Sequence, residues 1–207
     1  RLPESTLPAP LEYATLDEYA EVLFAVARSG DYAFVEAATG SPIQSGRLLP
    51  AESAPVVALA RSEPDTRVLA VAAADGNVTL VRHDYEIGFP NDVRKITPRV
   101  VNPLPAGTVF ETGLDVASLA VGFDGEQASV VAADAAGAVR LVHATLEESF
   151  LDGSLTAELA TYPIPYEGGP IAAIAIDVDQ RELYVADAFG VLHFFDVQRK
   201  SDIRLVD

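Results

Sequence analysis

Three histidines, His83, His143 and His193, are the residues of this 207-residue chain best suited by type to hold a metal or carry a proton. Either task needs at least two of them to meet beside carboxylates. They follow the nearest upstream glycines of a repeated pattern, Gly76, Gly137 and Gly190, by seven, six and three positions. Such non-equivalent placing predicts histidines at strand ends in solvent, with no shared centre. The run Asp177-Val178-Asp179-Gln180-Arg181-Glu182 has the composition of a calcium loop. It lacks the central glycine and the terminal bidentate glutamate of such a loop, and reads as an acidic hairpin turn. Gly168-Gly169-Pro170 is too short to cradle a phosphate, and no serine stands in a Gly-x-Ser-x-Gly elbow. Cysteine is absent, which removes disulfides, thiolate metal sites and a thiol nucleophile. The expectation is a protein that is not an enzyme, with no catalytic, cofactor-binding or metal-ligating residue and no cofactor.

Charge narrows the partners. Thirty-one acidic residues face 14 basic ones, for a net charge of −17. A surface so acidic repels phosphate backbones and anionic lipid, so no nucleic-acid partner is expected. Basic residues gather at Arg94-Lys95 with Arg99, and at Arg199-Lys200 with Arg204. The first group lies in a proline-rich stretch that also carries Tyr85 and Phe89. A stiff loop bearing aromatics and arginine loses little entropy on docking. Tyr85, Phe89, Arg94, Lys95 and Arg99 are therefore the candidate partner-binding residues.

The elements that would carry these residues follow from a repeat. Four segments place apolar side chains in alternation after a glycine: Gly30 to Val35, Gly76 to Val81, Gly137 to Val142 and Gly190 to Phe195. The glycines are 46, 61 and 53 positions apart. A strand precedes each one, as in Val68 to Val71 or Leu183 to Val185, and a tight turn lies between. Glycine there supplies a positive φ. In the three later units a further strand stands upstream, as in Ile171 to Ile176. Strand, turn, strand, glycine turn, strand is a β-meander, and its repetition is the sequence form of a propeller. The expected fold is all-β, with repeated β-meanders in a partial or small WD40-like β-propeller; a β-sandwich of unrelated hairpins is the other reading. The expected division is an arm or linker over 1–20 and a repeat domain over 21–207, with units near 21–50, 54–112, 114–166 and 170–207. One helical turn is expected at Leu16 to Tyr19, with outer strands at Val93 to Val101 and Leu155 to Tyr162. Val71, Leu80, Val131, Leu141, Val185 and Phe194 are the expected core. An exposed sheet edge would favour pairing with a second copy.

Two insertions, Tyr85 to Thr112 and Thr145 to Tyr166, interrupt the meanders. The run Val81-Arg82-His83-Asp84-Tyr85-Glu86-Ile87-Gly88-Phe89-Pro90-Asn91-Asp92-Val93-Arg94, closing on Ile96-Thr97-Pro98, resembles the extracytoplasmic region of the long-form permease subunit of bacterial phosphate ABC transporters. So does Leu141 to Ser149 followed by Leu151-Asp152-Gly153. The resemblance extends loosely from about Phe24 to Val197. It implies a periplasmic β-repeat domain standing beside the permease helices, on the periplasmic face of the bacterial inner membrane. It implies a non-catalytic accessory role, with other transporter subunits or the substrate-binding protein as partners. Membrane attachment would come from segments outside this chain, which begins at Arg1 and reads as a piece of a longer protein. The family's transport residues lie in its membrane helices, so none carries over. From the residues alone, a free-standing β-propeller enzyme or a carbohydrate-binding protein stays open as the alternative. A −17 background and the lack of a glycine nest set the chain against binding phosphate itself.

Overall fold

The computed structural model describes residues 7–206. Within them seventeen strands form four antiparallel sheets, each a meander whose strands pair in chain order. The first sheet contains β1 (Leu11–Leu16), β2 (Val22–Ala27), β3 (Asp31–Glu36) and β4 (Pro42–Arg47). The second contains β5 (Val56–Arg61), β6 (Val68–Ala73), β7 (Asn77–Gly88) and β8 (Lys95–Val101), with β9 (Phe110–Glu111) paired to the start of β7. The third contains β10 (Val116–Phe123), β11 (Gln127–Asp134), β12 (Val139–Glu148) and β13 (Leu155–Pro163). The fourth contains β14 (Ile171–Ile176), β15 (Glu182–Asp187), β16 (Leu192–Asp196) and β17 (Arg204–Val206). The all-β fold of repeated meanders is thus present, and the outer strands fall at β8 and β13 as expected.

The first unit differs from its sequence reading. Leu11–Leu16 forms the innermost strand of the first sheet, so the expected arm over 1–20 contributes a strand, and no helical turn forms at Leu16 to Tyr19. β1 is recruited by pairing with β2, Ala14 opposite Ala25 and Leu16 opposite Leu23. Its side chains, Glu12, Tyr13 and Thr15 among them, are mostly exposed or half-buried, so backbone pairing along β2 places the strand. The expected arm's first six residues lie outside the described residues.

Two kinds of turn hold each meander. At the glycine turns φ is +82 at Gly30, +81 at Gly76, +96 at Gly137 and +87 at Gly190, the left-handed region in which a side chain is strained. At the other turn an aspartate organises the backbone. Asp17 Oδ1 accepts the N–H groups of Glu21 and Val22 at 2.7 and 2.9 Å. Asp124 Oδ1 accepts those of Glu126 and Gln127 at 2.9 Å each, and Asp177 Oδ1 those of Arg181 and Glu182 at 2.7 Å each. Ser62 takes this place in the second sheet, its N–H donating to Val68 O while its buried hydroxyl has no partner. The acidic run at Asp177 therefore closes a turn by hydrogen bonding.

The sheets pack face to face in chain order, through three apolar cores. Phe24 and Phe34 of the first sheet meet Leu69 and Val71 of the second. Val78 and Leu80 meet Val130 and Val142 of the third. Val131 and Leu141 meet Leu183 and Phe195 of the fourth. Small residues on β6 and β11, such as Ala70, Ala72 and Ala132, are fully buried and let the layers approach closely. Each buried Leu, Val or Phe contributes roughly 1.5–3 kcal/mol by leaving water. Of the expected core, Val71, Leu80, Val131, Leu141 and Val185 are all 0% exposed. Phe194 is only half-buried, and its neighbour Phe195 takes the core position.

The innermost strands of all four sheets line one central cleft of about 420 Å³. Arg61, Val121 and Ile176, at or near the C-terminal ends of β5, β10 and β14, border a second crevice together, so these strands run in the same direction. Because each meander reverses at every turn, the hairpins β7–β8 and β12–β13 both emerge on the side of that crevice.

Candidate functional site

The three histidines lie apart in separate sheets, and none is a free strand-end group. His83 is 3% exposed. Its ring stacks on Phe24 at 4.6 Å, lies 5.9 Å from Tyr85 edge to face, and has no hydrogen-bond partner on either nitrogen. Burial, aided by the Arg67 charge and opposed by Asp84, pushes its pKa down to about 4. His143 Nδ1 lies 2.9 Å from Ser129 Oγ, and burial with the nearby Lys200 charge lowers its pKa. His193 packs edge-on against Tyr166 at 5.0 Å, with Asp187 Oδ2 3.6 Å away. The expectation of solvated histidines thus fails. In adjacent stacked sheets the third strand carries them into the interfaces or against an aromatic. Among the described residues, no three His, Asp or Glu side chains come together as a metal would require.

The central cleft is lined by Glu12, Arg28 and short apolar residues such as Ala58, Ala117 and Ala173. Its charged pair is self-satisfied, Arg28 Nε lying 3.3 Å from Glu12 Oε2. The basic residues expected to bind a partner are largely engaged within the fold. Arg99 donates to Asp84 Oδ2 at 3.1 Å, and Arg82 and Arg67 approach the same carboxylate at 3.8 and 3.9 Å. Partial burial pushes Asp84 up, but the Arg99 hydrogen bond, the Tyr85 N–H and the arginine charges outweigh it and hold the carboxyl below its ordinary range. Arg94 lies 3.9 Å over the ring of Tyr19 and 3.1 Å from Glu21 Oε1, which ties the β7–β8 hairpin to the first sheet. Tyr85 packs edge-on against Phe34 at 6.0 Å, and burial raises its pKa. Of the five candidates, Phe89, which is 65% exposed, and Lys95 present free side chains to solvent.

Sequence reasoning missed the complementary half of this surface. β12 and β13 continue past their sheet to a turn at Phe150 and Leu151, whose side chains are 106% and 98% exposed. Beside them a shallow crevice of about 820 Å³ is bordered by Gln127, Leu146 and Leu155. The signal was an apolar pair inside a polar turn, Glu148-Ser149-Phe150-Leu151-Asp152. The two prolonged hairpins of neighbouring sheets thus present Phe89 with Val93, and Phe150 with Leu151, on one side of the molecule. No family model and no curated protein matches this chain. Among the described residues, no helix is long and apolar enough to cross a membrane.

Proposed function

We propose that this chain is a non-catalytic interaction domain of a bacterial phosphate ABC transporter permease, built as a partial β-propeller on the periplasmic face of the inner membrane. The observation that carries the reading is the place of the two segments that resemble the permease family. Val81 to Pro98 and Leu141 to Gly153 are the two prolonged hairpins, and both end in apolar side chains in water. Exposed aromatics at the tips of stiffened hairpins are costly to solvate and suit burial in a protein partner. Tethering by Arg94 and by the Asp84 cluster keeps the first hairpin in place before docking. The partner would be another transporter subunit or the substrate-binding protein, and phosphate would pass without being held by this domain.

The test combines Phe89→Ser, Phe150→Ser and Leu151→Ser in the full-length transporter. Folding should be unchanged, because all three side chains already face water. Co-purification with the other subunits or with the substrate-binding protein should fall at least tenfold. Unchanged association and unchanged phosphate uptake would refute the proposal. So would a one-site calorimetric isotherm for phosphate on this domain at millimolar concentration.

A further inference from the structure

In the first three sheets, the residues two and four positions after the repeat glycine point at the next sheet. They are Tyr32 and Phe34, Val78 and Leu80, and Val139 and Leu141, all 9% exposed or less. The same positions in the fourth sheet are Leu192 and Phe194. Leu192 is 63% exposed, and Phe194 is half-buried, its ring edge-on to Tyr184 with 4.8 Å between centroids. The register builds one apolar surface around them. Ala173 pairs with Ala186 and Ala186 with Leu192, while Ala175 pairs with Tyr184 and Tyr184 with Phe194. The covered face of the second sheet has the same rows, Ala58 with Ala72 and Val78, and Ala60 with Ala70 and Leu80. The fourth sheet therefore displays in water the kind of surface that its predecessors bury.

We infer that this face docks a further antiparallel sheet of the same kind, laid on the fourth sheet as the fourth is laid on the third. Continuity with the three existing interfaces selects that occupant. Each interface joins the face marked by these glycine-related positions to the opposite face of the following sheet. On the opposite face of the first sheet Ala25, Ala33 and Val35 are buried, while Ala14 and Leu16, which pair with Ala25 and Leu23, lie in water. The occupant should present short branched side chains, as Val130 and Val142 do to the second sheet. At one end of the face Glu182 pairs across the strands with Asp196 and Asp196 with Arg204, so that end is polar and mixed in charge. An enzyme or a scaffold would need this cover as much as a transporter domain would.

The chain has no cysteine, so Leu192→Cys creates a unique thiol. Maleimide labelling is followed in the 207-residue chain and in the intact native protein, with Ala135→Cys, on the exposed turn of the third sheet, as the reference. In the 207-residue chain both thiols should react at similar rates. In the intact native protein the Leu192→Cys thiol should react at least tenfold more slowly than the reference. Equal rates there would overturn the inference. Light scattering of the 207-residue chain decides against the other occupant. A dimer that Leu192→Asp dissociates would show that a second copy covers the face, and would also overturn it.

Discussion

His83 should make this fold lose stability in mild acid, and replacing it should remove that loss. The ring is 3% exposed, flanked by Phe24 and Tyr85, with both nitrogens unpartnered. Its pKa is pushed from 6.5 down to about 4, by burial first and then by Arg67. The unfolded chain therefore takes up a proton near pH 6.5 while the folded chain refuses it until about pH 4. With more protons bound in the unfolded state, stability falls as the pH drops through that window and is fully present above it. At pH 4.5 the difference amounts to about 2.5 kcal/mol, from the two pKa values by linkage. The comparison is made as a difference between two proteins, so that every ionisable group they share cancels. His83→Phe keeps an aromatic ring in the stack and cannot be protonated. Urea denaturation at constant ionic strength should show the variant gaining on the wild type by about 2–3 kcal/mol between pH 7.5 and 4.5. A difference that stays flat across that range would refute the reasoning, since it would mean that His83 is protonated in the folded state without cost.

Other perturbations test the packing and the turns. Leu141, 0% exposed between the third and fourth sheets, should cost about 2–5 kcal/mol when changed to alanine, read by chemical denaturation. Gly76→Val should cost about 2 kcal/mol or more, because φ is +81 and the new Cβ would lie 2.7 Å from Leu114 O. A thermal melt unchanged from wild type would contradict that geometry. Thr112→Val should lose about 1 kcal/mol by removing the buried 2.7 Å hydrogen bond to Gly76 O. Arg94→Ala should change global stability by less than about 1 kcal/mol, as befits a partly exposed ion pair. It should nonetheless speed amide hydrogen exchange in the β7–β8 hairpin, since the Tyr19 and Glu21 tether is lost.

What was legible in the sequence is what local geometry dictates. A tight hairpin demands positive φ, so Gly30, Gly76, Gly137 and Gly190 marked the turns, and alternation after each glycine marked strands with two faces. That suffices for four meanders and for the outer strands β8 and β13. Alternation does not say which neighbour covers a face. Phe194 and Phe195 are equally apolar in sequence, and only the third sheet, packing on one side of the fourth, buries Phe195 and leaves Phe194 half open. The same cause hid the state of His83, whose polar side chain reads as a surface group until Phe24 of another sheet stacks on it. Arg94 and Arg99 looked free because their partners, Tyr19 with Glu21 and Asp84, are brought to them by sheet packing and strand pairing. The strand at Leu11–Leu16 carries little signal of its own and exists because β2 offers it a hydrogen-bonding edge. Turn chemistry and side-chain periodicity act over a few residues and are written in the chain. Burial, charge pairing and the open face of the fourth sheet depend on contacts between distant segments, which only the packed sheets decide.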